Sequence, residues 1–239
     1  MRRLGLVGGL GPESTIDYYC RIIDGWKATD PASSPAIVID SLDVRRALDL
    51  VATDRDALTD YLLASVERLA DAGADFVAIS ANTPHLVFDA LAARAHVPLL
   101  SIVETCADEA GRRGLHRVLL LGTGFTMEAP FYPEVFGRRG IDVVVPPEEE
   151  RQWIHAIYVG ELLRGEFHDS TRRELVKIIE RMRSAQAIDG VILGGTELPL
   201  LLRGRDLAML PVLDTTALHV GAIVRRLREG EPAAPGASE

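Results

Sequence analysis

The chain reads as an α/β protein, made of two pseudo-symmetric α/β lobes with largely parallel sheets facing each other across a cleft. Three observations predict this. Short apolar runs alternate with longer amphipathic stretches, the rhythm of buried parallel strands covered by helices. Two strand-plus-turn segments recur at one offset. "RRLGLVGGLG" resembles "HRVLLLGTGF" and "DFVAISANT" resembles "DGVILGGTE", with Gly8 and Gly122 separated by 122 − 8 = 114 positions and Asp75 and Asp189 by the same number. A shared offset in two independent segments indicates a duplicated unit. All four segments end in polar or glycine-bearing turns, and ligands of such sheets sit beyond the carboxyl ends of the strands.

The elements follow in order. "RLGLVGG" and "AIVIDS" are expected strands. "TDYLLASVERLADAGA" places Leu62, Val66, Leu69 and Ala70 on one helical face and stops at Gly73. "DFVAIS" is a strand, "HLVFDALAARA" a helix and "VPLLSI" a strand. The rhythm restarts after "GLHR" with "VLLLGT", "DVVVP", the helical "STRRELVKIIERMRSA", "GVILGG" and "PVLDTT". The first lobe is expected at 1–101 plus 212–230, the second at 102–211. The closing "GEPAAPGASE" is small, polar and proline-bearing, so 231–239 is expected to be a disordered tail.

Composition limits the function. With 239 residues, 47% hydrophobic and 26% charged, the chain has enough apolar material for a core and enough charge for a wettable surface. A net charge of −9 argues against nucleic acid, whose phosphates it would repel. Neither a polybasic run nor an apolar stretch of ~20 residues points to a membrane. "MRRLGLVGG" runs into glycines without a cleavage pattern, so no signal peptide is expected. Cys20 and Cys106 form no C-x-x-C, and no His/Cys cluster has zinc spacing. No disulfide scaffold and no metal are expected, with the cytoplasm as the compartment.

Four turns are expected to line the cleft: "GGLGPEST", "SANTPH", "GTGFT" and "GGTE". A turn between strand and helix presents backbone N–H groups and the positive end of a dipole, which suits an anion. In these turns Gly8, Gly9 and Gly11 allow close approach, while Asn82, Thr83, Thr123, Thr126 and Thr196 supply neutral hydrogen bonds. The first loop lacks the Lys-Ser/Thr ending of a phosphate loop and the glycine spacing of a dinucleotide fingerprint. A small carboxylate is the expected ligand. Arg45, Arg46 and Arg164 could fork a carboxylate or simply sit solvated on helix surfaces. His85 could cap a helix or exchange protons. Glu197 is the acid of most interest, being placed in a cleft turn. Cys20 and Cys106 read as packed small apolar groups.

In that order, and over nearly the whole chain, "GGLGPEST", "SANTPH", "LGTGFTMEAPFY", "LGGTELPLL" and "DTTALHV" resemble the aspartate/glutamate racemase superfamily. The resemblance implies two pseudo-symmetric α/β lobes with the active site between them, no cofactor, no metal, a homodimer, and amino dicarboxylic or related small acids as substrates. It implies that Gly9, Asn82, Thr83, Thr123, Thr126 and Thr196 hold the substrate, with Arg45 or Arg46 and Arg164 clamping its distal acid. It also implies a cysteine in each of two turns. Those positions hold Ala81 and Gly195, themselves 195 − 81 = 114 apart. Two-base racemisation needs a proton carrier on each face of the α-carbon, and alanine and glycine carry none. The resemblance therefore implies an altered reaction through an enolate-like state, such as decarboxylation, elimination, isomerisation or ring closure, with Glu197, His85 and Asp43 as acid/base candidates. Two alternatives stand beside it: a dicarboxylate-binding or regulatory protein without turnover, and a true racemase with non-cysteine acid/base groups.

Overall fold

A computed structural model describes residues 1–202, Leu207 and 210–229. The first half runs β1 (Arg3–Gly8), α1 (Pro12–Lys27), β2 (Ala36–Ser41), α2 (Val44–Thr53), α3 (Arg55–Asp71), β3 (Phe76–Ile79), a 3-10 turn (Thr83–Val87), α4 (Phe88–Arg94), β4 (Leu99–Leu100) and α5 (Ile102–Arg112). The second half runs β5 (Arg117–Gly122), α6 (Gly124–Glu128), α7 (Phe131–Gly137), β6 (Asp142–Val144), α8 (Glu148–Gly160), a 3-10 turn (Leu162–Arg164), α9 (Asp169–Gln186), β7 (Gly190–Gly194), α10 (Leu198–Leu201), β8 (Val212–Asp214) and α11 (Thr215–Arg228). The expected tail at 231–239 lies outside the described residues.

Two four-stranded parallel sheets result, ordered β2-β1-β3-β4 and β6-β5-β7-β8. The same order in both halves is the fold expected from the repeat. Its likeness extends to single hydrogen bonds. The Arg3 amide donates to Asp75 Oδ2 at 2.6 Å, and the Arg117 amide donates to Asp189 Oδ1 at 3.0 Å. Arg3 Nη1 reaches the Ala72 carbonyl at 3.0 Å, and Arg117 Nη1 reaches that of Gln186 at 3.3 Å. Every one of these pairs is shifted by the same 114 positions. Each arginine–aspartate set ties the start of a central strand to the end of the helix before its neighbour.

Helix α3 shows how local sequence sets an element. Asp54 caps it, its Oδ1 accepting from the amides of Asp56 and Ala57 at 3.1 and 3.0 Å. Leu58, Leu62, Val66 and Leu69 are buried at helical spacing against β1 and β3, and Ala70 is partly buried. Burying each such side chain contributes about 1.5–3 kcal/mol before entropy is charged against it. The helix ends at Asp71, and Gly73 takes φ +84° to turn the chain into β3.

The expected lobe boundary at 101/102 falls between β4 and α5. The return differs from expectation: Val212–Asp214 pairs with β7 in the second sheet, so the chain leaves that sheet after Asp214 rather than before 212. Leu213 is fully buried beside Ile192, which keeps this segment in the second core. The helices that follow the two last strands exchange places. Ile102, Val103, Cys106, Ala107 and Ala110 of α5 join the core of the second sheet. Val220, Ile223 and Leu227 of α11 join Leu4, Leu6, Tyr18, Ile22 and Trp26 in the core of the first. Among the described residues no helix is long and apolar enough to cross a membrane.

Candidate functional site

The cleft between the lobes is lined at its floor by Ala81, Asn82, Thr83, Thr123, Gly195, Thr196, Glu197 and Tyr158, and at its roof by Leu10, Val44, Ala47, Leu48, Val51 and Leu163. It encloses about 40 Å³ of solvent-accessible space, room for about three waters. Three sets of polar side chains join the lobes across it. Thr83 Oγ1 lies 3.0 Å from Thr123 Oγ1 and 3.1 Å from Thr126 Oγ1. The Tyr132 hydroxyl donates to Asn82 Oδ1 at 2.6 Å, and Asn82 Nδ2 donates to Thr215 Oγ1 at 3.2 Å. Ser14 Oγ reaches Glu197 Oε1 at 2.6 Å and Thr196 Oγ1 at 2.8 Å. The neutral groups satisfy one another, as buried polar groups must.

Among the described residues Glu197 is the one carboxylate on the cleft lining. It is 2% exposed, at the end of the turn that leaves β7, and it accepts from three hydroxyls: Ser14, Tyr158 and Thr196. Burial raises its pKa, and the three donors, which favour the ionised form, pull it only partly back. Two glycines make room for this cluster. A side chain at Gly11 would run into Glu197 Oε1, and a Cβ at Gly195 would meet the Tyr158 hydroxyl, with ring atoms Cε2 at 2.5 Å and Cζ at 2.7 Å. The Tyr158 ring therefore occupies the space that any side chain at 195 would need. Gly195→Ala is expected to cost about 1–3 kcal/mol through overpacking. Urea denaturation checks this, and in the background of Tyr158→Leu the same alanine should cost distinctly less. Equal costs in the two backgrounds would show that the crowding is relieved elsewhere.

The expected site residues divide. Ala81, Asn82, Thr83, Thr123, Gly195, Thr196 and Glu197 line the cleft, and Thr126 stands directly behind Thr123, fully buried at 3.1 Å. Gly9 is off the cleft lining, and its amide donates to Thr15 Oγ1 at 2.9 Å, within the turn. His85 is buried outside the cleft, stacked on Phe88. Its Nε2 accepts from the Ile102 amide at 3.3 Å, so Nδ1 carries the proton and donates to the Ala81 carbonyl at 3.1 Å. Burial drives its pKa down to about 3, so it is a neutral imidazole, and it stands off the cleft lining. Asp43 is exposed and spends its carboxylate capping α2, accepting from the Arg45 amide at 2.9 Å.

The expected arginine clamp is absent from the lining. Val44, Ala47, Leu48 and Val51 recur at i, i+3, i+4 and i+7, so the cleft face of α2 is apolar. Arg45 and Arg46 fall on other faces and are exposed, the guanidinium of Arg46 lying 4.6 Å over the Tyr61 ring. Arg164 is exposed beyond Leu163. Cys20 is exposed and Cys106 buried; neither lines the cleft, and burial pushes the Cys106 thiol well up. Sequence reasoning missed Ser14 and Tyr158. Ser14 lay inside the quoted first turn. Tyr158 was detectable only as a tyrosine within an apolar helix face, where its hydroxyl demands a partner. Among the described residues no group of three or more His, Cys, Asp or Glu could hold a metal ion.

Comparison with known proteins agrees with this architecture. The profile of the Asp/Glu/hydantoin racemase family matches residues 7–223. The crystal structure of an aspartate racemase homologue from Pyrococcus horikoshii OT3 superposes with a TM-score of 0.82 at 34% identity, covering 96% of this chain and 100% of that one. A broad specificity amino-acid racemase from Bacillus subtilis (strain 168) is 26% identical over 145 residues, 59% of this chain and 63% of the relative. A glutamate racemase from Koribacter versatilis (strain Ellin345) is 29% identical over 197 residues, 76% of this chain. The chain spans 63% of the length of each of these two curated relatives. The repeated sheets, the interlobe cleft and the matched family lead to one conclusion: this chain belongs to the Asp/Glu/hydantoin racemase family.

Proposed function

We propose that the cleft carries out acid–base chemistry at the α-carbon of a small carboxylic acid, with Glu197 as its proton carrier. One observation carries the reading: Glu197 is a buried carboxylate on the second-lobe wall, while the facing wall at Ala81, Asn82 and Thr83 holds no ionisable side chain. In the proposed step the ionised Glu197 takes the α-proton. The C–H electron pair moves into the substrate carboxylate to form an enediolate, and the neutral donors Asn82, Thr83, Thr123 and Thr196 hold it by hydrogen bonds. Glu197 then returns the proton, or the enediolate pair forms a Cα–Cβ double bond and expels a leaving group from the β-carbon.

Because, among the described residues, only one wall carries a carboxylate, this chemistry is one-sided. It serves exchange with retention, decarboxylation, elimination or isomerisation more readily than inversion, which needs an acid on the far face. Tyr158 orients Glu197 and stays protonated, its pKa raised well above the ordinary value by burial and by the neighbouring carboxylate.

Proton NMR of amino acids incubated in D₂O tests the proposal. Loss of the α-proton signal, with no other enantiomer found by chiral chromatography of the same sample, is the expected result. Inversion would show that a group other than a side chain on the Ala81 wall delivers the second proton. Binding without exchange, in amino acids and in a panel of unsaturated and malonate-like acids, would leave a ligand-binding protein and end the catalytic reading.

A further inference from the structure

We infer that the acid bound in this cleft carries an uncharged, apolar side chain, leucine-like rather than aspartate-like. This substrate class rests on the reading of the cleft floor as the place that holds the α-carboxylate. The floor uses the polar groups, and what remains for a side chain is the roof: Leu10, Val44, Ala47, Leu48, Val51 and Leu163. Leu10, Ala47 and Val51 are buried, and the other three are half-buried.

Among the described residues the roof holds no cation and no hydrogen-bonding side chain. The three guanidiniums nearest in sequence, Arg45, Arg46 and Arg164, are all exposed and off the lining. For the two on α2 this follows from helical phase, since the residues that face the cleft are those at the spacing of Val44 and Val51. A distal carboxylate placed against this surface would lose its water and gain no partner, which is strongly unfavourable. A branched aliphatic group would gain about fourfold in affinity for each methylene it buries. The roof also joins the two lobes, α2 from the first and Leu163 from the second. A side chain seated against the roof would therefore touch both lobes.

Leucine and aspartate make a clean probe, because two methyls in one replace two oxygens in the other at nearly equal shape. Calorimetric titration of the full chain with both enantiomers of leucine, alanine and aspartate is expected to rank leucine at least tenfold above aspartate, with alanine weaker than leucine. Aspartate binding as tightly as leucine would overturn the inference, and so would no binding by any of the six. Leu48→Arg, which brings a guanidinium to the roof, is expected to move the preference towards aspartate by tenfold or more. If that variant fails to fold by circular dichroism, Val44→Lys at the half-buried rim makes the same test, and an unchanged ranking in a folded variant overturns the inference. The D₂O exchange assay is run on the same samples. A leucine preference without exchange would sink the proposed chemistry alone, while exchange with an aspartate preference would sink the substrate class alone.

Discussion

Glu197→Gln is expected to lower the rate of α-proton exchange by about 10²–10⁴-fold, the usual cost of removing a general acid/base, while leaving the fold intact. Glutamine has the same shape, its carbonyl oxygen can still accept from a hydroxyl, and its amide can donate to Ser14 or Tyr158 in place of the bonds the carboxylate received. The neutral side chain removes the desolvation cost of a charge without opening a cavity. The parent's pH profile supplies a second test. Exchange requires the ionised form, and burial raises the pKa of Glu197, so the rate should climb with pH through a midpoint above the ordinary value of 4.5. Exchange surviving in Glu197→Gln at more than a tenth of the parent rate would remove Glu197 from the chemistry.

A second large effect is expected on acidification. His85 and His219 are fully buried and neutral, with pKa values driven down to about 3 and about 4, mainly by burial, and for His85 also by His219 nearby. Both imidazoles have their ring nitrogens committed: His219 to the Tyr18 hydroxyl at 3.0 Å and the Leu100 carbonyl at 3.1 Å, His85 to Ala81 and Ile102. Between those values and the unfolded pKa of about 6.5 the unfolded chain binds more protons than the native one. Stability is therefore full above about pH 6.5 and falls as the pH drops. Each histidine removes roughly 3 kcal/mol by pH 4, against a total of about 5–15 kcal/mol for a domain of ordinary stability. Thermal unfolding should show Tm falling steeply from pH 6.5 to 4. In His85→Gln, whose amide can donate to Ala81 and accept from Ile102, the fall should be shallower. Glu197 works in the opposite sense: its raised pKa makes the native state bind the extra proton, so its contribution declines as pH rises above 4.5. Glu197→Gln should accordingly steepen the acid loss. A flat Tm from pH 7 to 4 would mean that these imidazoles are not buried neutral.

The fold was legible because duplication repeats its evidence. One glycine turn after one strand says little, but Gly8 with Gly122 and Asp75 with Asp189 at one spacing define matched sheets, and the carboxylates of those two aspartates hold matching amides. Asn82, Thr83, Thr123, Thr196 and Glu197 were legible for the same reason, since the turns that carry them follow central strands. The arginines were misplaced because charge type was weighed without phase. The apolar spacing of Val44, Ala47, Leu48 and Val51, present in the sequence, puts Arg45 and Arg46 off the cleft. His85 was misread because its partners, the Ala81 carbonyl and the Ile102 amide, are backbone groups, which a sequence does not display. Tyr158 depends on how α8 packs on β5 and brings the ring beside Gly195, a tertiary fact that a sequence does not display.

The exchange of α5 and α11 between lobes sets how the molecule can come apart. Cut at the boundary, residues 1–101 would leave Leu4, Leu6, Tyr18, Ile22 and Trp26 without the covering residues Val220, Ile223 and Leu227. The second half would leave Val220, Ile223 and Leu227 of α11 without the first-lobe residues they cover. Neither half is a foldable fragment, so chemical denaturation should trace a single sigmoid seen alike by every probe, despite the two sheets. The same braid leaves the chain two crossing points, after Leu100 and after Asp214, and two pivots define one axis. Breathing of the cleft is then a hinge with a single degree of freedom, and a disulfide or staple joining α5 to α11 would leave it free to swing while one joining α2 to the turn at Leu162–Arg164 would lock it shut.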